Sequence, residues 1–205
     1  MEADWEFEAG GEAPEIDAAW AGFVDLRLHP ERASELAEVA EFPAFAATLV
    51  KLNAPGSPVW TSKCDAWPVI DRADWDPDEL DAPAGCANHA MACYIDMQPV
   101  NSLEWSTQAG VAEACKRFCA RLHSIPLRCC RADLVIRQAI VGTGQTALNA
   151  QIGFNGQMDF GITAYLTGCG GDAAAAVTAL VAALKAFADA IVPASAPARY
   201  SSKLQ

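Results

Sequence analysis

Basic residues are scarce in this chain. There are 14 Lys and Arg against 26 Asp and Glu, a formal net charge of −12. A nucleic-acid binder has to neutralise phosphates with clustered cations, so direct nucleic-acid binding is not expected. An anionic membrane surface is an equally poor match. The first twenty residues, MEADWEFEAGGEAPEIDAAW, have no basic stretch followed by an apolar one, so they do not read as a signal peptide. Uncharged apolar runs of membrane-spanning length are missing too. The most apolar stretch, Ala173 to Ile191, carries Lys185 and Asp189 and reads as a soluble helix. A cytoplasmic location is the expectation.

Several catalytic signatures are also missing. There is no Gly-x-Ser-x-Gly nucleophile elbow. The glycines at 142, 144, 153 and 156 are followed by no Lys-Ser/Thr and open no helix, which excludes a P-loop and a dinucleotide fingerprint. Asp74, Asp76 and Asp78 match the first, third and fifth positions of an EF-hand loop. The match then fails, because Glu79 stands where Gly is needed and Gly85 where the bidentate Glu belongs. Cys115 and Cys119 lack the third cysteine of a radical-SAM cluster loop and fit a helical core stripe instead.

What remains is a chain of 205 residues, 52% hydrophobic and 20% charged, which suits one globular domain. Residues 1–16 read as an acidic tail, 17–192 as a single α+β domain and 193–205 as a C-terminal tail. Eight cysteines in a chain of this size without a secretion signal are expected to be reduced and mostly buried.

Helix signals begin at Pro30, which suits a first turn, and Pro43 opens a second helix through Leu52. Residues 59–69 read as the first strand. Asp76-Pro77-Asp78-Glu79 looks like a capped helix start within an acidic connector. A second strand is expected over 92–100, a helix over 106–123, and strands over 127–141 and 159–169. A long hairpin connection joins the last two strands, and loops of that length often bind ligands. Gly168, Gly170 and Gly171 are read as breaking the last strand, and Asp172 caps a final helix. The expected fold is a mainly antiparallel four-stranded sheet with helices on one face. It is preceded by N-terminal helices, and residues 92–192 form a split-βαβ, ferredoxin-like layer.

Three of these strands carry an aspartate among apolar residues: Asp65, Asp96 and Asp133. A buried carboxylate needs a cation or several donors. By strand parity, Lys63 and Arg131 share faces with Asp65 and Asp133, and Arg137 lies on the Asp133 side. On one sheet face these groups would form a ligand-binding cluster or take a divalent metal. They would also raise one another's pKa, as an acid–base site requires. The same pattern fits a solvated sheet face or a plain Asp133–Arg137 ion pair. Cys86, His89 and Cys93 place two thiols and an imidazole close together, a partial zinc site, although no second matching pair follows. Cys64 or Cys93 with His89 or His123 would make a nucleophilic pair. All six tryptophans lie within the first 105 residues, before the two long core strands. Trp75, beside Asp74, Asp76 and Asp78, would suit anchoring to a basic protein.

The functional expectation is a non-enzymatic acidic protein-binding domain, such as an inhibitor, immunity-like protein or adaptor. A small-molecule-binding domain or enzyme built on Asp65, Asp96 and Asp133 is the alternative. A zinc-stabilised structural domain is the second alternative.

Overall fold

The computed structural model describes residues 1–8, 15–17, 23–142 and 156–193. Of the hairpin connection expected over Gly142 to Met158, Gly142 and residues 156–158 belong to strands and residues 143–155 lie outside the described residues, as do most of the C-terminal tail and Trp20. The fold is α+β. Its mixed sheet is built from β1 (Glu2–Phe7), β2 (Glu15–Asp17), β3 (Val59–Val69), β4 (His89–Pro99), β5 (Cys130–Gly142) and β6 (Gly156–Gly170). Five strands run in the order β1-β5-β6-β4-β3, and the short β2 pairs further along β5. The helices are α1 (Ala37–Glu41), α2 (Phe45–Leu52), α3 (Gln108–His123) and α4 (Ala173–Ile191).

The expectation of four strands is corrected by β1 and β2, which run parallel to β5. Residues 2–7, read as tail, alternate between Ala3 and Trp5 on the core side and Asp4 and Glu6 on the other, a strand pattern. The Met1 ammonium donates to the Ile125 carbonyl, and the Ala3 N–H donates to His123 Nε2 at 3.3 Å. The remaining pairings, β5–β6, β6–β4 and β4–β3, are antiparallel. The connector is corrected as well. Residues 72–74 form one 3₁₀ turn, and 77–81 form hydrogen-bonded turns rather than a helix. Pro77 accepts from Leu80 and Ala82, and the Asp76 carboxylate caps the Asp78 N–H, so the cap closes a turn locally.

All the packing helices lie on one face of the sheet. Cys93, Ile95 and Met97 of β4, Ala132, Leu134 and Ile136 of β5, and Ile162, Ala164 and Leu166 of β6 share one core with the inward stripes of α2, α3 and α4. α4 is long and apolar enough to cross a membrane by length and composition. Half of its most apolar window is buried inside the protein. Asp172 Oδ1 accepts from the Ala175 N–H at 2.8 Å and starts it.

The glycines near the end of β6 have a packing role. Gly168 and Gly170 lie inside the strand and face α4, rather than breaking the strand as the sequence suggested. A Cβ on Gly168 would lie 2.3 Å from the backbone nitrogen of Leu180 and 2.8 Å from its Cα. Backbone cannot rotate away, so any side chain there lifts the helix off the sheet. Gly168→Ala is expected to lower stability by about 1–3 kcal/mol, read from the urea midpoint. An unchanged midpoint would show that α4 does not need this close approach.

Candidate functional site

Residues of alternating parity on the strands face away from the helices. Lys63, Asp65 and Trp67 of β3, Tyr94, Asp96 and Gln98 of β4, and Thr163 and Tyr165 of β6 lie there with Arg131, Asp133 and Arg137 of β5. The ladder sets their neighbours. Lys63 stands opposite Asp96, Asp96 opposite Thr163, and Thr163 opposite Val135. One row along, Asp65, Tyr94, Tyr165, Asp133 and Asp4 follow one another across five strands.

This face is flanked at both ends. Ile16, Trp60 and Ala139 form a small apolar cluster with Phe23 at one end, where the Arg27 guanidinium sits 4.5 Å over the Trp60 ring. Leu80, Ala90 and Cys169 form another with Trp75 at the opposite end. Between them Trp67, Tyr94 and Tyr165 make an aromatic row, with ring centroids 6.1 and 6.3 Å apart.

A cleft of ≈ 410 Å³ opens beside that row, lined on its polar side by Lys63, Asp96, Gln98, Arg137 and Thr163. Arg137 is the hub. Its Nε donates to Glu8, its Nη1 to Thr163 Oγ1 at 3.2 Å and its Nη2 to the Tyr165 hydroxyl at 3.0 Å. Thr163 passes the connection on, donating to Asp96 Oδ1 at 2.6 Å. Burial works against the Arg137 charge, but the hydrogen bonds to Tyr165 and Glu8 outweigh it and raise its pKa. Burial also pushes the Asp96 carboxyl above the usual range, opposed by the Thr163 hydroxyl and by the charges of Arg137 and Lys63.

Gln98 completes the cleft. It is only 3% exposed, and its Oε1 has no hydrogen-bond donor among the described residues. Gly161 makes room for it, since a Cβ there would lie 2.5 Å from Gln98 Nε2. A buried acceptor left unpaired costs about 1–3 kcal/mol, and Gln98 is part of the lining of the cleft.

The three strand aspartates share one face but not one pocket. Asp96 lines the cleft with Lys63 and Arg137. Asp133 lies in a smaller depression of ≈ 260 Å³ with Asp4, Glu6, Glu79 and Arg131. Its carboxylate accepts from Arg131 Nε at 2.7 Å, and burial, with the charges of Asp4 and Glu79, raises its pKa. Arg137 therefore turns away from Asp133, contrary to the expected pair. Asp65 is exposed and, among the described residues, accepts only from the adjoining Ala66 N–H at 2.7 Å.

The expected metal ligands Cys86, His89 and Cys93 are not brought together. Cys93 is buried within the helix-side core while Cys86 and His89 are exposed. Among the described residues no group of three or more His, Cys, Asp or Glu is arranged to hold a metal ion. The nucleophile reading loses its thiolate. Burial pushes the Cys64 thiol up to about 12 and Cys93 higher still, and His123 accepts from the backbone of β1. Trp75 is partly buried and lines a surface depression with Asp74 and Asp76. The Arg72 guanidinium sits 4.0 Å over it, and the ring packs on Leu80, Ala90 and Cys169. Asp74, Asp76 and Asp78 are exposed around it.

The sequence reading missed Glu8, Gln98, Thr163 and Tyr165. The signal was available in β6, where Ile162, Ala164 and Leu166 alternate with Thr163, Tyr165 and Thr167. Gln98 follows Asp96 at the two-residue strand period. Glu8 has no such signal, because its place depends on β1 joining the sheet.

The raised Asp96 pKa has a definite sign. Below its ordinary value of 3.8 the carboxyl is protonated folded or unfolded, and burial imposes no charge cost. As pH rises through the elevated folded value, ionisation costs the folded state more than the unfolded one. Asp96→Asn keeps an acceptor for Thr163 and is expected to raise Tm at pH 7, with the gain shrinking towards zero below pH 3.8. A gain that grows on acidification would contradict the burial account. Comparison of the chain with protein-family models, with curated proteins and with solved structures returned no match.

Proposed function

We propose that this protein is a small-molecule-binding domain whose site is the cleft on the uncovered face of the sheet. The observation that carries the reading is Gln98, a buried amide whose Oε1 has no donor among the described residues and which lines the cleft. The Glu8–Arg137–Thr163–Asp96 chain supports it, because it fixes the walls in one arrangement before any ligand arrives. The ligand donates a hydrogen bond to Gln98, with the Tyr94 and Tyr165 rings as its apolar floor. The frame is a ferredoxin-like layer over residues 92–192, extended by β3 on one side and β1 on the other. That reading is supported by β4 and β5 running antiparallel to β6 on either side of it, with α3 between them in sequence.

Gln98→Leu tests the reading. The change removes the unpaired acceptor and keeps the bulk. The empty variant is expected to be at least as stable as the parent, because a buried desolvation cost of about 1–3 kcal/mol disappears. Native mass spectrometry of the parent is expected to show a stoichiometric organic adduct that denaturation removes and that Gln98→Leu lacks. A bare parent chain that also gains no Tm from 3-hydroxybutyrate, a small acid carrying one hydroxyl donor, would contradict the reading.

A second reading is favoured by the depression around Arg131. Asp4, Glu6 and Glu79 crowd its rim with Asp133; Glu79 and Asp133 share Arg131, and Asp4 and Glu6 make no ion pair among the described residues. An acidic rim of this kind suits a basic partner protein of an inhibitor or adaptor. A lysine-rich peptide is then expected to bind at low salt and weaken steeply as salt rises. Asp4→Asn combined with Glu6→Gln should reduce that binding while leaving the cleft unaffected. Peptide binding that ignores salt would remove this reading.

A further inference from the structure

A second cavity of ≈ 610 Å³ lies on the other side of β3, lined by Val24, Leu26, Leu36, Leu49 and Cys64. It shares Ile16, Lys63 and Tyr94 with the polar cleft. β3 is an edge strand, so no further strand separates the two spaces. The ladder register also shifts between Thr61 and Lys63, which places an irregularity of the strand at the junction.

Two further observations join these cavities. The buried side-chain polar atoms without a partner, among the described residues, are Ser62 Oγ and Gln98 Oε1. Ser62 lines the apolar cavity and Gln98 the polar one. Lys63 stands at the shared wall with an exposed side chain and makes no ion pair among the described residues, whereas Arg137 of the cleft is fully engaged. Lys63 is thus a cation without an ion pair at the junction, and Glu38, on the wall of the second cavity, is a carboxylate without one among the described residues.

We infer that the two cavities form one bipartite site for a small amphipathic acid. Its carboxylate meets Lys63, a hydroxyl or amide donor reaches Gln98, and its apolar chain passes the edge of β3 into the cavity bounded by Leu26, Leu36 and Leu49. Cys64 serves that cavity as an uncharged apolar wall. The inference rests on the cleft being a ligand site and adds the class of ligand.

The experiment compares 3-hydroxybutyrate with 3-hydroxydecanoate by calorimetry on the full chain, below the concentration at which the longer acid forms micelles. The two share a head and differ only in chain length. The longer acid is expected to bind more than about 100-fold tighter, since each buried methylene contributes favourably. Val24→Trp fills the second cavity and should abolish that gain while leaving 3-hydroxybutyrate binding unchanged. Lys63→Gln should weaken both acids, and decanol, which has a chain without a carboxylate, should bind worse than the acid. Equal affinities for the two acids would overturn the bipartite site and leave the polar cleft standing. Binding of neither acid would overturn both. A chain-length gain that survives Val24→Trp, in a variant with unchanged circular dichroism, would place the apolar chain elsewhere and overturn the inference.

Discussion

Covering a sheet with helices on one face only is the constraint from which the rest of this structure follows. The helix side is settled by burial. α4 approaches β6 so closely that Gly168 and Gly170 have no space for a Cβ, and the inward residues of β4, β5 and β6 fill one core. Among the described residues the opposite side has no such cover. Its side chains must satisfy one another, meet water or wait for a ligand. Arg137 links several of them, tying Glu8 to Thr163 and Tyr165 and, through Thr163, to Asp96. Gln98 is the member this arrangement leaves unpaired among the described residues.

That asymmetry links fold to function. A network of charge-assisted hydrogen bonds on a rigid sheet holds its geometry without a ligand, so little ordering remains to be done on binding. The flanking clusters around Trp60 and Leu80 raise walls at the two ends of the face. The shift in β3 next to Lys63 then brings the polar cleft up to an apolar cavity at the sheet edge. Ladder, network and edge thus combine to place unlike surfaces within reach of one small molecule.

Much of the frame was legible in the sequence because period-two alternation is local. β3 has the boundaries read for it, and Asp65, Asp96 and Asp133, whose common face the sequence left as a condition, lie on one face of the sheet. Parity says nothing of position along the strand. Asp65, Asp96 and Asp133 therefore fell into three different surroundings instead of one cluster. The N-terminal strand was hidden for a related reason. EADWEF alternates, but its acidic half and the nearby glycines imitate a solvated tail, and only pairing to β5 and docking against His123 and Ile125 make it a strand. The connector near Asp76 carried good capping residues, yet a cap that binds its own turn satisfies the backbone without a helix behind it. Glu8 was unreadable because its partner lies far along the chain, on β5.

The most direct test of the account is the side-chain amide resonance of Gln98. It can be assigned from its disappearance in Gln98→Leu and followed while a low-molecular-weight fraction of the producing cells is titrated into labelled protein. The account predicts that Gln98 moves first, together with the backbone amides of Lys63, Asp96 and Thr163 on the uncovered face. Shifts confined to the exposed acidic connector, with Gln98 stationary, would contradict it.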